Sequence, residues 1–164
     1  IGKQAVRAIF DALDRDEKTL LLQKILDYWS LPNVGNLIDL ANQSPGPSFS
    51  KLAPIVAECA GQQDLYAGRV LEQAGNALGM YAVLAAKRVQ AIEPKHTGYP
   101  EIAFTGSILR HIALVREAMC AEIRRELPDA QIQMEAVDPI QGALWRARQN
   151  TDSTLAAHVR FPRR

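Results

Sequence analysis

No uninterrupted apolar stretch in this chain of 164 residues reaches the roughly 20 that a membrane-spanning helix requires. No basic n-region followed by an apolar core opens it either, so the sequence reads as a soluble, cytoplasmic protein without a membrane partner. Charge of one sign is equally scarce: 19 Lys and Arg against 18 Asp and Glu leave a net +1, which removes the electrostatic case for nucleic acid. Arg124-Arg125 and Arg163-Arg164 then read as solvated surface. The two cysteines, Cys59 and Cys120, lie in apolar helical patterns without CxxC spacing. That spacing points to buried, reduced thiols and away from a metal or iron–sulfur site. Three histidines, His96, His111 and His158, have no partner at ligand or triad spacing, and no catalytic nucleophile stands out. Trp29, Tyr66, Tyr81 and Trp145 lack interleaved basic residues, so they read as packing groups and not as a base-stacking platform.

What is present is helical periodicity. Ile1, Ala5, Val6, Ile9, Phe10 and Leu13 form an amphipathic stripe ended by Asp14-Arg15-Asp16. Leu20 to Trp29 predicts a second helix, and Asn33 caps a third reaching Ala41. Ser44-Pro45-Gly46-Pro47-Ser48 is a loop. Ser50 to Ala60 is helical, with Pro54 in its first turn or bending it. Asp64 caps the longest helix, for which Leu65, Val70, Leu71, Ala74, Leu78, Tyr81, Leu84, Ala85 and Val89 predict a broad buried face. The chain opens on Ile1 directly in a helical pattern with no capping residue ahead, as expected of a piece of a longer polypeptide.

The pattern changes after Gly98-Tyr99-Pro100. Ile102 to Thr105 has strand length; Ile112, Val115, Met119, Ile123 and Leu127 recur at helical spacing; and Ile132, Met134 and Ala136 alternate with Gln131, Gln133 and Glu135. Asp138 then serves as N-cap of a last helix, with Pro139 at its first position and Gln141 completing a capping-box-like pair. The expected fold class is thus α/β, predominantly helical, in one domain over residues 1–149. Residues 1–97 make its helical portion, residues 98–149 a β-α-β-α portion, and residues 150–164 a tail or one added strand. Two strands are too few for an independent parallel core, so further strands are expected from outside this stretch.

Two junctions could receive a ligand. At Gly106-Ser107 a glycine between strand and helix lets a flat molecule or a phosphate approach the backbone. A tight turn with Ser107 as N-cap explains the same residues without a ligand. Asp138 is accounted for by capping, with a hydrogen bond to a ligand in addition, and Gly142 by close approach of the helix to the strand or to a ligand.

The segments Ile1 to Arg7, Ala57 to Leu71, Ala74 to Leu78, Phe104 to Leu109, Val115 to Ala118 and Asp138 to Leu144, in that order and spacing, resemble the second lobe of N-acetylglucosamine kinases. These belong to the BadF/BadG/BcrA/BcrD ATPase family, within the actin-like sugar-kinase superfamily. The resemblance runs from Ile1 to about Arg148. It implies a ribonuclease-H-like lobe that binds ATP with Mg²⁺, with Gly106, Ser107, Asp138 and Gly142 around the adenosine, and an amino sugar as substrate. It places the phosphate loops and the catalytic carboxylate before Ile1, so the chain alone is expected to be inactive. Ser107 stands where many relatives have a second glycine, as in animal-type N-acetylglucosamine kinases, and Gln63-Asp64 where relatives often have Gly-Asp. The alternatives are a benzoyl-CoA-type reductase activator, which needs cluster-binding cysteines, and a helical dimerisation module built on residues 64–92.

Overall fold

A computed structural model describes residues 1–92 and 98–158, with side chains as far as residue 148. Eight α-helices account for most of them: α1 (Gly2–Asp14), α2 (Leu20–Trp29), α3 (Val34–Asn42), α4 (Ala53–Gly61), α5 (Leu65–Ile92), α6 (Ser107–His111), α7 (Ala113–Glu126) and α8 (Pro139–His158). A short 3-10 turn, Phe49–Leu52, leads into α4, whose first turn holds Pro54, where a missing N–H costs nothing.

The helix starts follow from side-chain oxygens. Asn33 Oδ1 accepts from the Asn36 N–H at 3.2 Å, and Thr19 Oγ1 from the Leu21 N–H at 3.2 Å. Asp64 does more than cap α5. Its carboxylate accepts from the Ala67 N–H at 2.8 Å, the Leu20 N–H at 2.6 Å and the Thr19 hydroxyl at 2.9 Å. One carboxylate therefore satisfies orphan donors at the starts of both α2 and α5 and fixes the two helix ends against each other.

The first core cluster gathers Ile9 of α1, Leu21 and Ile25 of α2, Leu37 of α3, Val56 and Cys59 of α4 and Leu71 of α5, all fully buried. A second, smaller one joins Val83 and Ala86 of α5 to Phe104, Met119, Cys120, Ile123 and Leu127. Both cysteines are buried free thiols, and burial pushes the Cys59 thiol pKa up.

Helices α5 and α7 meet through Gly75 and Gly79, one turn apart. A Cβ on Gly79 would lie 2.6 Å from Glu122 Cβ and 2.8 Å from the Met119 carbonyl oxygen, and one on Gly75 2.6 Å from Ala118 Cβ. No side chain fits there, so the backbones approach closely. This corrects the expected buried face of α5. Val70 and Leu71 are buried, but Leu65, Leu78, Tyr81, Leu84, Ala85 and Val89 are exposed, and the inward positions of the second half are Gly75, Gly79, Val83 and Ala86.

The α/β class and the β-α-β-α, ribonuclease-H-like portion expected for residues 98–149 are also overturned. Among the described residues there is no strand, only an isolated parallel bridge between Ile102 and Ile132. Three backbone bonds join these segments: Ile102 N–H to Gln131 O at 2.8 Å, Gln133 N–H to Ile102 O at 2.9 Å and Val137 N–H to Phe104 O at 2.9 Å. With no third segment beside them the pairing goes no further, because parallel strands persist only in wider sheets covered on both faces. What remains is an all-helical architecture. Residues 150–158, expected as a tail or strand, continue α8. His96 falls outside the described residues.

Candidate functional site: the cleft at Gly106

Phe104 anchors the approach to the turn. Its side chain is buried in the second cluster, while its carbonyl holds Val137. The chain then turns at Gly106 with φ +102°, a conformation that an L side chain rarely adopts, and enters the single-turn helix α6 at Ser107. Gly106, and not Ser107, occupies the cap position, and no side-chain hydrogen bond caps α6. The plain capping role for Ser107 therefore does not explain its presence.

Thr105, Gly106, Ser107 and Leu109 form one side of an open cleft of about 550 Å³, faced by Ala74, Ala77, Leu78 and Tyr81 of α5. Ile1 and Val115 also line it. Apart from Thr105, Ser107 and the Tyr81 hydroxyl, the side chains that line it are aliphatic or aromatic. A second, smaller cleft of about 300 Å³ adjoins α6, lined by Ser107 and His111 together with Pro54 and Ala57.

Of the four residues expected around a ligand, the structure thus brings Gly106 and Ser107 to one cleft. Asp138 lies elsewhere. Its Oδ1 accepts from the Ile140 N–H at 2.9 Å, so it acts as the N-cap of α8, next in sequence to the Val137 that bonds Phe104. Among the described residues nothing lies within 4 Å of the position a Cβ on Gly142 would take, so close approach to any of their elements does not account for it. The α5 wall, Ala74 to Tyr81, was the part that sequence reasoning missed as a site. No local signal in the sequence marks it: the apolar stripe assigns Leu78 and Tyr81 to the core, whereas they are 40% and 65% exposed. Trp29 does pack, edge to face on Phe49 at 5.8 Å, and Tyr66 is buried, whereas Trp145 is 64% exposed.

Among the described residues no group of three or more His, Cys, Asp or Glu side chains could hold a metal ion, and no helix is long and apolar enough to cross a membrane. The chain matches no family model, no curated protein and no solved structure.

Proposed function

We propose that this chain supplies the adenosine-binding surface of an ATP-dependent sugar kinase of the N-acetylglucosamine kinase kind, with the nucleoside resting in the cleft between α5 and Gly106-Ser107. The observation that carries the reading is the coincidence of the positive-φ glycine with a cleft of about 550 Å³. That size lies inside the roughly 300–1,000 Å³ span of small-molecule sites, and apolar walls with a few polar groups suit a purine. The donor set fits the nucleoside better than the rest of the cofactor. Among the described residues no carboxylate and no Lys, Arg or His side chain lines the cleft, so these side chains offer no ligand set for Mg²⁺ or triphosphate. In this reading those groups, and the amino sugar, are bound by residues outside the chain, and phosphoryl transfer depends on positioning and charge neutralisation there.

The test is calorimetric titration of ATP and adenosine into the chain, with Gly106→Val and the cleft-filling Ala77→Phe as variants. Ala77 is exposed, so its replacement leaves the core alone. Each should weaken nucleoside binding by about tenfold or more, equivalent to about 1.4 kcal/mol. Affinity unchanged in both variants overturns the assignment. A second reading, a helical association module, draws on the exposed Leu84, Val89 and Ile92 of α5. It requires self-association by light scattering that ATP leaves untouched.

A further inference from the structure

A separate cleft of about 460 Å³ lies between α1 and the first half of α5 and shares no lining residue with the cleft at Gly106. Arg7 and Asp11 stand one helical turn apart on α1, Arg15 follows one turn later just past its end, and Arg69 reaches in from α5. Three arginines and one aspartate thus line the cleft. Among the described residues neither Asp11 nor any other carboxylate lies within 4.0 Å of the three, whereas Arg125, Lys24 and Lys87 all have such partners. Arg69 is instead placed over the ring of Tyr66, 5.8 Å from its centroid. The Tyr66 hydroxyl donates to Glu17 Oε2 at 2.6 Å, which fixes the ring and keeps that carboxylate occupied beyond the cleft. Ala8, Val70 and the Tyr66 ring form the floor, and Phe10 flanks it.

Guanidinium groups left without a carboxylate around a partly apolar hollow favour an anion of planar or tetrahedral oxygens, which each Arg can hold through paired N–H donors. The cation–π contact of Arg69 with Tyr66 restrains the guanidinium beside the cleft and reduces the ordering cost of binding. The floor adds a second requirement, an apolar or aromatic body attached to the anion. The volume suits a small molecule and not a macromolecular surface. We propose that this cleft is a binding site for a small phosphate monoester with an aromatic or apolar body. It is distinct from the cleft at Gly106, and the proposal stands whether or not the nucleoside reading holds.

Phenyl phosphate, inorganic phosphate and phenol serve as probes that carry both features, the anion alone and the body alone. Each is titrated into the isotope-labelled 164-residue chain and followed by amide chemical shifts. Phenyl phosphate should bind most tightly, with shifts centred on Arg7, Asp11, Tyr66 and Arg69, and affinity should fall as salt rises. Arg7→Gln and Arg69→Gln should each weaken it about tenfold, as loss of a charge-assisted bond implies. Asp11→Asn, which removes the carboxylate from the cleft, should tighten it severalfold. Gly106→Val should leave it unchanged, which separates this site from the other. Equal affinity for phenyl phosphate and phenol overturns the role of the arginines, and equal affinity for phenyl phosphate and inorganic phosphate overturns that of the floor. Shifts that avoid α1, or indifference to the combined Arg7→Gln and Arg69→Gln substitution, overturn the site itself.

Discussion

The first half of α5 and its second half belong to the same helix but to two differently built regions. Around residues 65–75 the helix packs against α1 and α4 and contributes Tyr66, Ala67, Val70 and Leu71 to a core that α2 and α3 also fill. Around residues 75–92 it has one principal neighbour, α7, and contributes Val83 and Ala86, with two glycines at the contact. The first region is held by large side chains and by capping bonds that cross between helices. The second depends on close backbone approach and on a pair of segments that share a single bridge. A core supplied by several helices tolerates local loss better than one supplied by a single neighbour.

The sharpest way to break the comparison is at the glycine contact. Gly75→Leu would drive a side chain into Ala118 and the α7 backbone, and because that backbone cannot yield as a flexible side-chain end would, the helices must separate. Overpacking alone costs about 1–3 kcal/mol, and loss of the α7 contact takes the total above that. At about 2–4 °C per kcal/mol for a chain of this size, a fall in Tm of the order of 10 °C is expected by circular dichroism. A melt within about 2 °C of the parent would mean that α5 and α7 are not tightly joined.

Next in size is a contrast between two aspartates with the same local task. Asp64 accepts three bonds spanning two helix starts, whereas Asp138 accepts one, from Ile140, at an exposed end. Asp64→Ala should cost about 2–4 kcal/mol, a lost cap plus an unmade charged hydrogen bond, and Asp138→Ala about 0.5–1 kcal/mol. Chemical denaturation of both variants measures the difference. Equal losses would show that the bonds from Thr19 and Leu20 add nothing to the cap.

The same contrast explains what the sequence could and could not reveal. The starts of α3 and α5 are legible because Asn33 and Asp64 act on neighbours three residues away, that of α2 because its apolar stripe begins at Leu20, and the ends because Asp14-Arg15-Asp16 and Leu31-Pro32-Asn33 stop the pattern locally. The strands are not, because alternation at residues 131–136 records which side chains face apart, while a strand exists only through partners elsewhere. Here the single partner, Ile102, yields one bridge. The exposed stripe Leu78, Tyr81, Leu84 and Val89 fails as a core prediction for a related reason: periodicity marks an apolar face but not whether anything covers it. At the candidate site the turn at Gly106 is marked locally by a glycine between an apolar run and a helical pattern, whereas the α5 wall depends on where two distant segments meet.

The buried thiols give a smaller effect with a defined pH window. Burial is the main cause that holds the Cys59 thiol pKa above its ordinary 9.0. A folded-state pKa raised above the unfolded value means that stability is fully present below about pH 9 and declines as pH rises toward the folded pKa, because only the unfolded chain ionises readily. Cys59→Ser should flatten that decline, though at a cost at neutral pH from placing a hydroxyl in an apolar site. In the folded chain both Cys59 and Cys120 should react with iodoacetamide far more slowly than in denaturant. Rapid native labelling of Cys120 with Cys59 protected would show that the second region opens while the first stays closed.

The smallest expected effect lies on the surface of the better-built region, where Lys24 of α2 meets Glu58 of α4 at 2.7 Å. The hydrogen bond between them is the main cause that raises the Lys24 pKa above 10.5 and lowers that of Glu58 below 4.5. The Glu58 contribution is therefore complete above about pH 4.5 and is lost as pH falls through the folded carboxyl pKa. The Lys24 contribution is complete below about pH 10.5 and is lost as pH rises through the folded amine pKa. Both groups are solvated, so Glu58→Gln at neutral pH should change stability less than either aspartate substitution, and less again in high salt. A loss as large as that of Asp64→Ala would mean that α2 and α4 are joined at their surface and not through Leu21, Ile25 and Val56 beneath it.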